Sequence, residues 1–206
     1  MMLELIFGKT ISIVISRFII LILKLKGIKI GKNVFIKFAP ELKINGKYSN
    51  IIIEDNVKIL GKVDIRNREN GKIVFKNNST LEANCRIVSP NNSIIQIGFN
   101  TVICQGTVIN GGGDVFIGNN CIIGPFNVIN ANDHKIGHDN QIIKREFIYG
   151  NIEIENDCWT GSYVGIKLNV SLKKGSVIGS HSLVTKNTHQ NSINYGIPSK
   201  FIKIRN

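Results

Sequence analysis

The sequence is poor in the residues on which several classes of protein depend. Its 206 residues include four cysteines without a CxxC pair, and no histidine precedes His134. Cysteines spaced in this way favour reduced thiols in a cytosolic protein over disulfides or a cysteine metal site. Aromatic residues make up only 7% of the chain, and no recognised motif interleaves them with basic residues. Nucleic acid is therefore the least favoured partner.

Acidic residues are also scarce. The chain has 26 Lys and Arg against 14 Asp and Glu, which gives a formal net charge of +12. Residues 1–50 contain nine of the basic residues and two of the acidic ones. A basic front end of this kind suits an anionic lipid or a phosphorylated substrate.

The N-terminal segment lacks an uncharged apolar run that could span a membrane. Residues 3–25 are apolar but include Lys9, Arg17 and Lys24, whereas a spanning helix needs about 20 largely uncharged residues. No small-residue cleavage site follows, which argues against a signal peptide. We expect residues 1–26 to form an amphipathic helix in a cytoplasmic protein.

The two sides of this helix leave two interpretations open. The predicted polar side comprises Lys9, Ser12, Ser16, Arg17 and Lys24, and the predicted apolar side comprises Ile11, Ile15, Phe18, Ile19 and Ile22. One interpretation is an in-plane anchor on anionic headgroups at the inner face of the cell membrane. The other is a helix that packs on the end of the main domain or on a neighbouring subunit.

An aliphatic or small residue recurs every six positions in the second half of the chain. This register comprises Ile154, Thr160, Ile166, Leu172, Ile178 and Val184. A period of six fits neither a helix nor a simple strand alternation, and it predicts a parallel β-helix of hexapeptide repeats. Looser hexads continue upstream, with a two-residue slip at Gly111–Gly113. We expect one all-β domain over residues 27–206, capped by the N-terminal helix and a short C-terminal tail.

One segment interrupts the repeat. Residues 131–151 break the period and contain Asp133 and His134. An imidazole with a pKa near about 6.5 is mostly neutral at pH 7 and can accept a proton. We therefore expect a catalytic loop that leaves the rigid coil at this point.

Several motifs in the C-terminal half of the chain resemble a known family. They are IGNNCIIGP (117–125), NDH (132–134), IEIENDCWTGS (152–162), GSVIGSHSLVTKN (175–187) and YGIPSKFIK (195–203). In order and spacing they resemble the hexapeptide-repeat acyltransferases, and most of all sugar O-acetyltransferases such as the galactoside and maltose enzymes. The resemblance implies a left-handed parallel β-helix, a homotrimer with sites between subunits, and acetyl-CoA as co-substrate without a metal.

The resemblance also implies roles for individual residues. His134 matches the general base, and Asp133 either orients its ring or caps the turn. The Gly161 or Ser162 amide would stabilise the oxyanion of the tetrahedral intermediate. The residues implied in binding the co-substrate are Trp159, Gly161, Ser162, Gly179, Thr185, Lys186, Lys200 and Lys203. No activated nucleophile is evident, which favours direct transfer in a ternary complex over an acyl-enzyme.

The sequence departs from this family at three places. Thr160 replaces the usual Ile, His189 replaces a common Pro, and Gly111–Gly113 replaces a polar or acidic acceptor loop. The third departure leaves the acceptor sugar open. Together with the basic N-terminus, it points to a lipid-linked or nucleotide-activated sugar, as in the assembly of surface polysaccharide such as capsule or O-antigen.

Other functions compete with O-acetylation. An N-acetyltransferase acting on an amino sugar would use the same base and donor site. A non-catalytic β-helix scaffold would give the His134 loop no purpose. A γ-type carbonic anhydrase needs three histidines around zinc, but His134 and His138 are close together in the chain and no earlier coil has a histidine.

Overall fold

The period of six folds into three flat faces that wind around one core. The structure of the protein is a computed structural model that describes residues 2–137 and 141–205, without the side chains of residues 2–7, 9 and 142. Each coil contributes one short strand to each of three parallel sheets, and the described coils make about 7 turns. This architecture confirms the predicted all-β parallel β-helix and fits its left-handed form.

The strands are numbered along the chain. The first face contains β1 (Lys29–Ile30), β4 (Ile51–Ile53), β7 (Lys72–Phe75), β10 (Ile94–Ile97), β13 (Val115–Ile117), β18 (Ile152–Ile154) and β21 (Val170–Leu172). The second contains β2 (Phe35–Ile36), β5 (Lys58–Ile59), β8 (Thr80–Leu81), β11 (Val102–Ile103), β14 (Ile122–Ile123), β19 (Trp159–Thr160), β22 (Val177–Ile178), β24 (Ser192–Gly196) and β25 (Ser199–Ile204). The third contains β3 (Glu41–Ile44), β6 (Asp64–Asn67), β9 (Arg86–Ser89), β12 (Val108–Asn110), β15 (Val128–Asn130), β20 (Gly165–Lys167) and β23 (Leu183–Val184).

Elements outside these faces are few in the described ranges. They are the helix α1 (Met2–Leu25), the 3-10 turns Tyr48–Asn50 and Ile142–Lys144, and the strands β16 (Asn132–His134) and β17 (Phe147–Tyr149). β24 and β25 form an antiparallel hairpin that extends the second face at the C-terminal end of the solenoid. α1 contacts β1 and β2 at the other end. Both ends of the coil stack are therefore covered.

The predicted register points inward. In the third face, Ile109, Ile129 and Ile166 lie above one another in parallel register, and all three are buried. The hexad register beginning at Ile154 is buried at every position. Burial of aliphatic side chains contributes roughly 25 cal/mol per Å² removed from water, so these columns are the main source of stability.

Coil length changes along the chain. In the C-terminal part, Ile154 pairs with Leu172 in the next coil, which is a step of three uninterrupted hexads. In the N-terminal part, Ile53 pairs with Phe75, which is a longer step. The coil from Ile97 to Ile117, which contains the slip at Gly111–Gly113, is intermediate in length. The early coils therefore have longer corners than three hexads would give, which explains why their hexads are harder to recognise.

The buried Thr160 departs from the aliphatic column without leaving a polar atom unsatisfied. Its hydroxyl accepts a hydrogen bond from the Asn127 side-chain amide at 2.6 Å. The Asn127 carbonyl oxygen in turn accepts the Val164 N–H at 2.6 Å. The side chains of Thr160 and Asn127 thus have hydrogen-bond partners, as buried polar groups require.

The helix α1 packs on the solenoid with a narrow side that contains both polar and apolar residues. Ser16 is buried, and its hydroxyl accepts the Ile36 N–H at 2.9 Å. Ile19 and Leu23 are also buried against the first coil, while Phe18 on the predicted apolar side is 64% exposed. No helix among the described residues is both long and apolar enough to cross a membrane.

Candidate active site

The interruption of the repeat is a hairpin that leaves the corner between the third and first faces. β16 and β17 pair antiparallel, with His134 opposite Phe147 and Asp133 opposite Ile148. At the base, the N–H groups of Gly113 and Gly150 both donate to the Ala131 carbonyl. The coils on either side remain in register, because β13 pairs directly with β18. The hairpin thus holds His134 outside the coil on a base that the solenoid fixes.

The His134 ring packs on the hairpin rather than on the coil. Its centroid lies 4.3 Å from that of Phe147, with 37° between the ring planes. The residue is half-buried, and Nδ1 is shielded from solvent with no hydrogen-bond partner among the described residues. A ligand outside the ring would therefore meet Nε2.

Asp133 contacts the backbone of His134 and the side chain of Lys167. One carboxylate oxygen accepts the His134 N–H at 2.9 Å, and the other lies 3.2 Å from Lys167 Nζ. The hydrogen bond from Lys167 lowers the pKa of Asp133, and the bond from the His134 backbone acts in the same direction. Asp133 therefore ties the hairpin to the coil that contains Lys167.

A cleft of about 530 Å³ opens beside His134. Its walls comprise Asp133, His134, Lys135, Ile136, Ile148, Lys167, Leu168 and Thr185. Thr185 follows β23 at the same corner of the solenoid. The fold therefore brings this predicted site residue next to Asp133 and His134, which lie far from it in the sequence. Lys167, which pairs with Asn130 from the next coil of the third face, was not predicted as a site residue.

A second cleft lies on the other side of the hairpin. It has a volume of about 350 Å³ and is bounded by Arg68, Glu69, Arg86, Val88, Pro90, Asn91, Asn110, Gly111, Asn132, Phe147 and Tyr149. The rings of Phe147 and Tyr149 stack with centroids 6.2 Å apart. Phe147 therefore contacts the His134 ring and also forms part of the wall of the second cleft.

Tyr149 and Gly150 account for two of the three glycines at positions 111–113. A Cβ at Gly112 would lie 2.6 Å from the Tyr149 ring, and Gly112 has φ +114°, which disfavours any residue with a side chain. At Gly113 a Cβ would lie 2.4 Å from the Gly150 carbonyl oxygen. The glycine run makes room for the hairpin, and its backbone forms part of the floor of the second cleft.

Trp159, Gly161 and Ser162 lie elsewhere on the coil. Trp159 is 50% exposed on the second face, and the two residues that follow β19 form the corner between the second and third faces. The Gly161 N–H donates to the Ile178 carbonyl at 2.8 Å within the ladder. The Ser162 N–H donates to the Ser180 hydroxyl at 3.1 Å. Neither amide belongs to the walls of the His134 cleft.

The remaining predicted residues divide between the two corners. Lys186 follows Thr185 and is exposed. Gly179 follows β22, and a Cβ at this position would lie 2.8 Å from Tyr195 Cβ. Lys200 and Lys203 are exposed on β25, which pairs with β24 beside the second face. One chain therefore places His134, Asp133, Thr185 and Lys186 at one corner and the other predicted site residues near another.

Two of the four thiols, those of Cys85 and Cys104, are poorly suited to act as nucleophiles. All four cysteines are free, as predicted. Burial raises the pKa of the Cys85 thiol to about 12 and also raises that of Cys104. A thiol with a raised pKa is a poor nucleophile at neutral pH. Among residues 2–137 and 141–205, no three potential metal ligands come together, and His138 lies outside these residues.

Known acetyltransferases resemble this chain in sequence and in fold. No family model matches the sequence. The chain is 36% identical over 86 residues to the galactoside O-acetyltransferase of Lactococcus lactis, a match that covers 41% of each protein. A solved structure of the polySia-specific acetyltransferase NeuO is 27% identical, with a TM-score of 0.64, over 86% of this chain and 78% of that one. In sequence and in fold, the chain is thus similar to sugar acetyltransferases.

A third comparison concerns the fold alone. The N-acyltransferase AntD from Bacillus cereus, solved with dTDP and coenzyme A, is 18% identical with a TM-score of 0.52 over 89% of this chain and 88% of that one. The sugar acetyltransferase resemblance predicted from the sequence is confirmed. The chain spans only about two fifths of the length of the curated relative that it matches.

Proposed function

We propose that the protein is an acetyl-CoA-dependent O-acetyltransferase that acts on a sugar hydroxyl, with His134 as the general base. The observation that carries this proposal is the position of His134, which a hairpin holds at a cleft that also contains Thr185. The similarity to a galactoside O-acetyltransferase supports the same chemistry.

The reaction is a direct transfer between two bound substrates. Because Nδ1 is buried, Nε2 of His134 takes the proton from the acceptor hydroxyl as its oxygen attacks the thioester carbonyl carbon. The tetrahedral intermediate then expels the CoA thiolate, and the proton on His134 passes to sulfur. General bases of this kind contribute about 10²–10⁴-fold to rate. The buried Cys85 and half-buried Cys104, with their raised pKa values, leave no role for an acyl-enzyme through these thiols.

Asp133 and Ser162 have supporting roles in this scheme. Asp133 is a positioning residue, because its carboxylate holds the His134 backbone and Lys167 rather than the imidazole. Ser162 rather than Gly161 supplies the oxyanion donor. The Gly161 N–H belongs to the ladder, whereas the partner of the Ser162 N–H is a hydroxyl that can rotate away.

Acetyl-CoA is the donor in this proposal. Solved proteins of the same fold have been crystallised with coenzyme A. Thr185 and Lys186 lie at the hairpin corner, and the exposed ammonium groups of Lys186, Lys200 and Lys203 are available to phosphate as point charges. Trp159 and Gly179 would line the pantetheine arm on the second face.

The acceptor is a sugar of a polysaccharide or other glycoconjugate, as in surface polysaccharide assembly. The second cleft offers the Tyr149 ring, three Asn amides and two Arg side chains. Aromatic faces and amide groups suit the apolar and hydroxyl faces of a sugar. The polySia specificity in the name of NeuO supports an acceptor of this class.

A complete site requires a second copy of the chain. Within one chain, His134 and Ser162 lie at different corners of the triangular solenoid. A neighbouring subunit therefore has to bring its Ser162 corner to the His134 cleft. A trimer with threefold symmetry closes three such contacts. Trp159 on β19 directly precedes the Ser162 corner, so its substitution tests this arrangement. If His134 and Trp159 act from different chains, trimers that combine His134→Ala and Trp159→Ala chains would regain activity, although each variant alone is inactive. If both residues act from one chain, the mixed trimers would stay inactive.

The function is tested by acceptor-dependent release of CoA thiol. The protein is incubated with acetyl-CoA and a panel of free, nucleotide-linked and lipid-linked sugars, with amino sugars included. Turnover with a hydroxyl acceptor and an alkali-labile product ester supports the proposal. An amide product would instead establish an N-acetyltransferase. Silence on every acceptor, with no binding of acetyl-CoA, would contradict catalysis and favour a scaffold.

A further inference from the structure

The helix α1 presents its larger apolar side to solvent. The side that packs on the first coil includes Ser16, whose buried hydroxyl accepts the Ile36 N–H. The opposite side includes Phe18 at 64% exposure and Val14 at 60%. A surface helix of a globular protein normally buries its apolar side and exposes its polar side. α1 buries Ser16, Ile19 and Leu23 but leaves a broader apolar side exposed to solvent.

Seven of the exposed apolar residues of α1 form one continuous stripe. We call it the outer face, and it comprises Ile11, Val14, Ile15, Phe18, Leu21, Ile22 and Leu25. Their spacing of three and four residues places them on a single side of the helix. Contiguous apolar surface of this kind marks a binding surface rather than ordinary solvent exposure.

The charge around the outer face identifies the partner. Residues 10–40 contain six Lys and Arg and no Asp or Glu. Arg17 and Lys24 are exposed along one edge of the outer face, and Lys32 is exposed on the first coil beside the helix. A second copy of the chain would bring two such sets of cations together. An anionic surface would instead neutralise them.

We propose that the outer face of α1 binds the surface of an anionic lipid bilayer. The apolar stripe enters the boundary between headgroups and acyl chains, and Arg17, Lys24 and the lysines of the first coil meet the headgroups. Because the inner side of α1 is fixed to the solenoid through Ser16, Ile19 and Leu23, the helix meets lipid sideways. This inference is independent of the acetyl transfer proposed above.

The test is flotation of the full-length protein with vesicles. We expect binding to vesicles that contain phosphatidylglycerol, weak binding to pure phosphatidylcholine, and release as salt shortens the screening length from about 10 Å at 0.1 M to about 3 Å at 1 M. Val14→Ser with Phe18→Ser should lower the affinity about tenfold or more. Arg17→Gln with Lys24→Gln should lower it about tenfold on anionic vesicles alone.

Two controls separate lipid binding from folding and from self-association. Phe99→Ser changes a phenylalanine that is 44% exposed just after β10, which is three strands along the first face from β1. This variant should bind vesicles as the wild type does. Thermal unfolding should be unchanged in every variant, because all the substituted side chains are exposed. Equal vesicle binding by wild type and the Val14/Phe18 variant would overturn the proposal. So would a wild type that ignores vesicles while the same variant dissociates into smaller species in sedimentation.

Discussion

The stacked coils and the hairpin of β16 and β17 follow different rules, although the hairpin leaves from one of those coils. In the coils, Ile109, Ile129 and Ile166 repeat the same buried environment from turn to turn. In the hairpin no position repeats, and the rings of His134 and Phe147 pack on one another outside the core. The coils therefore provide the stability and anchor the hairpin, while the hairpin holds His134, the proposed general base, outside the core.

The largest loss of stability is expected for a substitution in the core of the coils. Ile109→Ala removes a fully buried side chain from the middle of a column and should lower the free energy of unfolding by about 2–5 kcal/mol. Ile143, which is 87% exposed on the loop, is the matched control, and Ile143→Ala should change it by less than about 0.5 kcal/mol. Urea unfolding at one protein concentration measures both. Similar small losses at the two positions would show that the columns are not close-packed.

The second prediction concerns the contact between the two regions. Gly112→Ala places a Cβ against the Tyr149 ring at φ +114°, and it should cost about 1–3 kcal/mol of stability through backbone strain while displacing the hairpin. Gly8→Ala is the control, since a Cβ at Gly8 meets nothing within 4 Å. It should be neutral or stabilising by up to about 1 kcal/mol, because alanine is the better helix former. A neutral Gly112→Ala in thermal unfolding would mean that Tyr149 does not rest on this glycine.

The third prediction tests how the hairpin is held. Lys167→Met removes the ion pair with Asp133 and should lower the transfer rate several-fold, but stability by less than about 1 kcal/mol because both partners are partly exposed. Asp133→Asn should give the same loss, whereas a direct catalytic role for Asp133 would make its loss much larger. Lys43→Met removes an exposed pair with Glu41 far from the hairpin and should leave the rate unchanged.

The smallest effect is a difference in acid sensitivity between the two regions. The hydrogen bond from Arg66 lowers the pKa of Asp64 below 3.8, and that from Lys167 lowers the pKa of Asp133. A lowered folded-state pKa adds stability above the unfolded value, and this stability is lost as pH falls through the folded value. The Arg66–Asp64 pair is less exposed than the Lys167–Asp133 pair. Asp64→Asn should therefore flatten the fall in melting temperature below about pH 4 more than Asp133→Asn does.

The coils could be predicted from the sequence because their physics is periodic. One aliphatic residue in six suffices to locate Ile154 or Ile166 in the core, and even Thr160 keeps the register through its bond to Asn127. The period also indicates where the repeat breaks, which is the segment that contains His134. Longer corners in the early coils weakened the pattern without hiding it.

The environment of the site could not be predicted in the same way. Lys167 and Tyr149 have no sequence pattern that marks them, because their roles depend on which residues two coils and a hairpin bring together. The hydrogen bond from the Gly161 N–H to the Ile178 carbonyl likewise depends on how the strands pair, which the sequence does not show. The expected polar and apolar sides of α1 do not match its packing, because Ser16 from the first group and Ile19 from the second are both buried. Composition alone could not identify the side that faces the solenoid.

The most direct test of the account is the rate of acetyl transfer by His134→Ala beside His189→Ala. His189 is an exposed histidine that lies edge-on to Phe201 at the C-terminal end, so its loss controls for removal of an imidazole. The account predicts a fall of about 10²–10⁴-fold for His134→Ala, with unchanged thermal unfolding and acetyl-CoA binding, and no comparable fall for His189→Ala. A His134→Ala rate within about threefold of the wild type would contradict the account, because no general base would then act from the hairpin.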